Sequence, residues 1–405
     1  MTARPVGAID LTDTEPFVRG EAHLLWRQLR EESPVHWNPA PDGGFWALTR
    51  YADVLAAYRD QKTFSSSHGA ILGGSFRSEV DTASNRMLVA ADEPRHRSLR
   101  RAMQRVFNPR MIDAVSAEVR RTVGAAVERL WADGGGDFAL DIAPELPIGA
   151  LTAMFAVGRD DARHLLGLTR AMIGYRDDDI GSGAVDEHMG LAVAQAEIFS
   201  FFLDLLAERR RTPGEDAVSL LMSPQGQRGL DEDTLLFNLM NLAVGGNETT
   251  PHSASGGVLA LMEQPEQWLR LRDAEGSTAS AVNEFLRWTS TNAYVKRVVT
   301  RPVRISGTDL AEGDTVTLWN ASANRDGSHF ADPERFDPLR SPNPHLAFGS
   351  GIHHCIGAVT AGRELSALVD ALRGQPGRLV PAGSPVRLRS NFMLGINRLP
   401  VEVVA

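Results

Sequence analysis

Phe348-Gly349-Ser350-Gly351-Ile352-His353-His354-Cys355-Ile356-Gly357 holds the only cysteine in a chain of 405 residues. Glycines at 349, 351 and 357 let the backbone turn tightly and approach a flat ligand closely. Downstream, Ala358, Ala361, Glu364, Leu365, Leu368, Val369 and Leu372 follow helical spacing. A cysteine just ahead of a helix feels the positive end of the dipole and free backbone N–H groups, which favour thiolate over thiol. A lone cysteine is most often a small buried hydrophobe. A glycine-rich loop with His353 two residues earlier is a poor place for one. A nucleophile or a metal ligand remains. A structural zinc site needs more thiolates or a spaced histidine pair. A single thiolate suits an axial ligand to haem iron, where the porphyrin supplies the other four donors.

Phe348, Gly349, Gly351, His353, Cys355 and Gly357 match F-G-x-G-x-H-x-C-x-G, so the stretch resembles the haem-binding loop of the cytochrome P450 family. The resemblance implies the cytochrome P450 fold, mainly α with a smaller β-rich region, as one domain over residues 1–405. It also implies three motifs upstream, and each is present. His96-x-x-x-Arg100 puts two side chains on one helix face, where solvent or an anion can serve them. In the family the matching pair binds a haem propionate. Pro94 reads as the first residue of that helix.

The second motif lies in the segment from Asp233 to Met262. Leu235, Leu236, Phe237, Leu239, Met240, Leu242, Ala243 and Val244 are apolar nearly all round, the mark of a buried helix. Gly245-Gly246-Asn247-Glu248-Thr249-Thr250-Pro251 then interrupts it. Each glycine costs about 1 kcal/mol relative to alanine, and proline more. Pro251 offers no N–H to the Asn247 carbonyl, and the Thr249 hydroxyl can bond the carbonyl of residue 245. The expected result is a local opening with a hydroxyl and a carboxylate beside it. A bent helix with a polar kink is the bland alternative. Gly245, Gly246, Glu248 and Thr249 complete the family pattern [A/G]-G-x-[D/E]-T. The resemblance implies that Glu248 and Thr249 organise proton delivery during oxygen activation, with Gly245 beside the cofactor.

The third is Glu284-Phe285-Leu286-Arg287, by itself compatible with a surface ion pair. Neighbouring Val282, Phe285, Leu286 and Trp288 argue for burial. The resemblance implies a structural triad completed by Arg335 of Pro333-Glu334-Arg335-Phe336. It further implies Cys355 as the iron ligand, Arg297 and His353 as propionate contacts beside His96 and Arg100, and Phe348 and Gly349 in the cofactor loop. One departure stands out: Gly362, followed by Arg363, occupies the place where the family usually has arginine.

A hydrophobic content of 43% and a charged content of 23% are ordinary for a globular protein. Net charge of −9 argues against nucleic-acid binding. No leader-like apolar run opens the chain and no run of about 20 apolar residues is evident, so no membrane span is expected. One cysteine fits a cytoplasmic setting. Arg95, Arg97, Arg100, Arg101, Arg105 and Arg110 crowd one segment, either a solvated face or a dock for an acidic electron carrier. Residues 21–33 read as a helix, Val35–Trp37 and Phe45–Leu48 as strands about a turn at 41–44, and Tyr51–Tyr58 as a helix. Gly134–Gly136 stops a helix. Residues 65–86 and the acidic stretch 176–186 read as lids.

By family position the substrate pocket is expected at Ala70, Ile71, Leu72, Leu242, Asn292, Ala293, Val295, Phe392 and Met393, beside Gly245. These are mainly apolar and suit a medium-sized hydrophobic molecule. The resemblance implies a monomeric haem-thiolate monooxygenase of the bacterial type. It would use haem b and O2, with NAD(P)H electrons arriving through a separate ferredoxin and its reductase, and would hydroxylate a small molecule in secondary-metabolite biosynthesis. Oxidation of an acyl or aminoacyl group on a carrier protein is the alternative. A non-catalytic haem sensor or carrier would not need Glu248 and Thr249.

Overall fold

The computed structural model describes residues 9–40, 43–72, 83–177, 180, 187–223 and 230–405. Helices dominate. A long core helix, Pro109–Ala132, starts where the Asn108 side chain accepts the Met111 N–H at 3.0 Å and a proline takes the first turn. It packs against Glu145–Phe155 and Ala358–Arg373, and Val115, Val119, Val123 and Val127 are fully buried along one stripe. Arg159–Ile173 packs on Glu187–Arg211, and both lie over Glu232–Asn247. Among the described residues two stretches, Phe138–Phe155 and Met189–Arg211, are long and apolar enough to cross a bilayer by length and composition alone. The first is 72% buried in the core; the second is 39% buried and belongs to the helix packed on Arg159–Ile173.

The β-rich part is a five-stranded sheet in the spatial order Val35–Asn38, Phe45–Leu48, Thr315–Leu318, Val295–Val299, Phe64–Ser65. Phe45–Leu48 and Thr315–Leu318 run parallel; the other neighbours are antiparallel. A three-stranded sheet joins Gly135–Asp137, Pro400–Val404 and Arg378–Pro381. The glycine stop after the helix ending at Ala132 therefore continues as a strand. Two small ribbons complete the β structure among the described residues.

The expected helices near residues 21–33 and 51–58 form as Ala22–Glu32 and Tyr51–Arg59. Pro94 caps rather than begins the helix Arg95–Met103. Of the first expected lid, residue 65 ends a short strand and 73–82 lie outside the described residues. Positions 41–42, 178–179 and 181–186 also lie outside them. Asp177, expected in an acidic lid, is buried: it accepts the Arg389 N–H at 2.7 Å and the Asn397 side-chain amide at 3.3 Å. It ties that segment to the turn near residue 390.

Candidate active site

The central segment is two helices, Glu232–Asn247 and Thr249–Glu263, parted at Glu248. Asp231 caps the first through the Thr234 N–H at 2.8 Å. At the break the Thr249 hydroxyl donates to the Gly245 carbonyl at 2.7 Å, the bond expected from the sequence. Gly257 lets the second helix lie against Thr278–Thr289, since a Cβ there would stand 2.1 Å from the Phe285 ring. The opening thus sits between two rigid, buried half-helices.

The cysteine loop is shaped by two left-handed glycines, Gly349 (φ 65°) and Gly351 (φ 67°). A Cβ on Gly351 would stand 2.5 Å from the Tyr58 carbonyl oxygen. The Cys355 N–H donates to the Phe348 carbonyl at 2.9 Å, closing the loop on itself. Cys355 is accessible, but the surface it shows is the wall of an internal cavity of about 410 Å³. Burial pushes its thiol up, while the Gly357 N–H and the Arg100 guanidinium pull it down. The helix Ala358–Arg373 begins three residues later, where the sequence spacing placed it. A bound metal deprotonates a coordinating thiol outright.

The residues around this cavity fit a haem. His96 and His353 have rings 4.3 Å apart, and Nε2 of each is buried with no hydrogen-bond partner. Burial, then nearby arginines, depress both imidazoles, His353 to about 2. Arg100 and Arg297 line the same end; Arg100 also donates to the Ile352 carbonyl at 3.1 Å. Arg297 is buried beside the Tyr58 ring. Two cations and two orphaned imidazole nitrogens are a set built to receive anionic oxygen atoms, the chemistry of porphyrin carboxylates. Phe348, Gly349 and Gly245 also line the cavity.

Ala70, Ile71, Leu72, Leu242, Asn292, Val295, Phe392 and Met393 line the cavity as expected. Ala293 does not: its N–H pairs with the Phe392 carbonyl and its methyl is buried in the cluster around Trp26, Tyr294 and Trp319. Neighbours in an extended segment point opposite ways, so Asn292 and Ala293 cannot share one wall. Met87, Met154, Met172 and Met240 line it unannounced, as do Arg176 and Arg389 at the lid end. Arg389, next to an expected pocket stretch, pairs with Glu15.

Glu248 is the largest departure at the site. Its carboxylate is not in the cavity wall with Gly245, Gly246, Asn247, Thr249 and Thr250. It is 3% exposed and turned away, accepting from the Thr169 hydroxyl at 3.2 Å, and burial raises it to about 7. Glu284 and Arg287 are both 0% exposed and joined by two bonds of 2.8 Å. The third member of that triad is Arg340, whose Nε lies 3.2 Å from Glu284, and not Arg335. Arg335 is exposed and contributes its backbone carbonyl to Arg287 at 3.2 Å and Arg340 at 2.9 Å. The chain turns sharply after Pro333, which carries the Arg335 side chain outward and brings Arg340 in.

The family description "Cytochrome P450" matches residues 277–372. The chain is 34% identical over 404 residues to "Cytochrome P450 NovI" of Streptomyces niveus, covering 98% of this chain and 96% of that one. It is 34% identical over 410 residues to a "Methyl-branched lipid omega-hydroxylase" of Mycobacterium tuberculosis, covering 98% and 94%. Among solved structures it resembles a Mycobacterium marinum cytochrome P450 in complex with pseudoionone, with TM-score 0.89 and 30% identity over 99% of this chain and 100% of that one.

Proposed function

This chain belongs to the cytochrome P450 family and is a monooxygenase of haem b and O2 fed by separate redox proteins; from that premise we propose that it hydroxylates a medium-sized, mainly apolar small molecule in secondary-metabolite biosynthesis. One observation carries this reading. A single cavity joins the Cys355 sulfur and the Thr249 hydroxyl to a predominantly apolar wall of Met87, Val89, Met154, Met172, Met240 and Leu242. Thioether side chains adapt to irregular carbon skeletons. Two of the proteins named above are, by their names, a methyl-branched lipid omega-hydroxylase and a cytochrome P450 in complex with pseudoionone.

When bound, the haem supplies an iron centre that activates dioxygen with two external electrons, one oxygen atom entering the substrate and the other leaving as water. The protein's part is to hold and to exclude. Cys355 is the thiolate ligand; Arg100, Arg297, His96 and His353 take the two carboxylates. Thr249 presents a hydroxyl to the cavity at the helix break, where it can accept a proton and pass one on. Glu248 stores a proton close to neutral pH behind the break. Buried Glu284 and Arg287, joined by the half-buried Arg340, fix the segment that leads into the cysteine loop.

The electron donor is proposed to be an acidic ferredoxin served by its reductase, docking on the basic segment by the cysteine loop. Arg100 points inward there, Arg97 pairs with Glu93 and Arg110 with Glu215. Arg101 and Arg105 stay exposed without an ion-pair partner among the described residues, and Arg101 borders a hollow with Gln104, Gly351 and Ile352. A cytoplasmic monomer is the setting that matches these partners. Optical titration of the ferric protein tests the substrate reading. A Soret shift toward the high-spin position with free terpenoid, steroid or polyketide compounds supports it. A shift only with carrier-loaded acyl or aminoacyl groups replaces it, and no haem absorbance at all rejects the assignment of Cys355.

A further inference from the structure

Behind the central helix, away from the cavity, lies a polar cluster that the haem and substrate sites leave unused. Glu248 Oε1 accepts from Thr169 Oγ1 at 3.2 Å, but that hydroxyl has one hydrogen and a second acceptor, the Leu166 carbonyl at 3.0 Å. Asn247 Nδ2 donates to the same Thr169 oxygen at 3.1 Å. One helical turn beyond Glu248, His252 is 3% exposed. Its Nδ1 accepts the Ile396 backbone N–H at 3.2 Å. A neutral imidazole whose Nδ1 accepts must carry its hydrogen on Nε2. Nε2 lies 3.7 Å from Glu248 Oε2, outside direct hydrogen-bond distance but near enough for its N–H dipole to act on the carboxylate, and it has no competing acceptor among the described residues. Gly395 walls the ring: a Cβ there would stand 2.8 Å from Nε2 and 2.9 Å from Cε1. The ring is therefore held from one side by a backbone amide and from the other by a bare glycine.

We propose that His252 is a positioning residue for Glu248: its Nε2–H steadies the carboxylate behind the helix break and so sets the proton occupancy with which Glu248 serves Thr249. The proposal rests on the reading of Glu248 and Thr249 as a proton-delivering pair. Burial drives the two groups apart, the carboxyl up to about 7 and the imidazole down to about 3. His252 thus stays neutral through the working range and acts as a donor, not as a second base. Arg170, on the helix that also supplies Thr169, is the charged group facing both and lowers both values. The positive end of a neutral N–H dipole beside the ionised carboxylate favours that form, so losing it moves the Glu248 midpoint upward.

The test is an infrared titration of the ferric holoprotein, following the buried carboxylic acid band that E248Q abolishes. The unsubstituted protein is expected to titrate near 7. H252F, a ring without the N–H, should move the midpoint up by roughly half a pH unit, and H252Q, which restores an N–H at similar reach, should bring it back. G395A keeps the histidine and displaces its ring, so it should shift the midpoint in the same direction as H252F. It decides the matter should H252F fail to fold. An unchanged midpoint in folded H252F or in G395A overturns the proposal. Equal shifts in H252F and H252Q assign the effect to packing and overturn it as well. The ratio of product to NAD(P)H in the same variants separates the two levels. A moved midpoint with an unmoved ratio leaves the His252–Glu248 link standing and rejects Glu248 as proton source.

Discussion

Replacing Arg340 by methionine should destabilise the protein far more than replacing Arg335, although Arg335 stands in the more recognisable motif. Glu284 is fully buried and ionic, so each donor it holds counts. Arg287 gives it two bonds of 2.8 Å, the Asp337 N–H one of 2.8 Å, and the Asn343 side chain one of 2.9 Å. Arg340 adds its Nε at 3.2 Å and a second positive charge. Its other nitrogens bind the carbonyls of Ala331 at 2.6 Å, Asp332 at 3.0 Å and Arg335 at 2.9 Å. A hydrogen bond to a buried charge contributes about 1.5–3 kcal/mol; the carbonyls lie near the surface, where water replaces the donor at little cost. The sum for R340M is about 3 kcal/mol, roughly a hundredfold in the folding equilibrium. R335M leaves every one of these bonds in place, because only the backbone oxygen of residue 335 is used, and should fall within about 0.5 kcal/mol of the parent. Urea unfolding of the holoprotein, followed at the Soret band and by far-UV circular dichroism, measures both. A loss in R335M equal to that in R340M, or R340M within about 0.5 kcal/mol of the parent, would refute the assignment.

Four further outcomes are expected. T249A should divert most reducing equivalents from product to peroxide or water while T249S retains coupling; an unchanged ratio of product to NAD(P)H removes Thr249 from proton delivery. G351A must place a side chain at φ 67° and 2.5 Å from the Tyr58 carbonyl, so haem retained through gel filtration should drop sharply; full Soret absorbance would show that the loop yields. Glu364 is buried with Oε2 unpartnered, and burial raises its carboxyl from the ordinary 4.5 to about 8. The folded protein therefore keeps a proton that the unfolded chain sheds between those values. That stability is fully present below about 4.5 and declines as pH rises through about 8, by up to ~1.4 kcal/mol per pH unit, so E364Q should flatten the decline seen by thermal unfolding; parallel curves would reject it. R101E combined with R105E should slow reduction by an acidic ferredoxin roughly tenfold at low salt and leave substrate-induced Soret shifts alone; unchanged reduction would move the dock elsewhere.

Patterns that a backbone enforces locally were legible in the sequence. The loop around Cys355 needs glycine at 349 and 351 because both take positive φ, and the break at Glu248 follows from two glycines and a proline placed within two helical turns. The Thr249–Gly245 bond is likewise a four-residue event. Contacts set by distant segments were not legible. Arg340 reaches Glu284 across 56 residues, and Asp177 meets Asn397 across 220. Which way Glu248 turns depends on Thr169, a helix away. Ala293 left the wall because its strand-like neighbour Asn292 occupies it. Side-chain direction at such points is chosen by packing between elements, which spacing along one element does not encode.

The parallel pairing of Phe45–Leu48 with Thr315–Leu318 sets an order of events during synthesis. Strands that run parallel cannot close by a local hairpin. The early hairpin must wait until more than 260 further residues have been made, and Gly135–Asp137 waits as long for Pro400–Val404. Contacts so far apart in the chain form slowly, and until they form, the apolar faces meant for them are open to other molecules. Helices such as Pro109–Ala132 can assemble as the chain emerges from the ribosome. The pocket floor, by contrast, depends on Cys355 and on a sheet whose partners arrive last. Loading of the prosthetic group is therefore a late step.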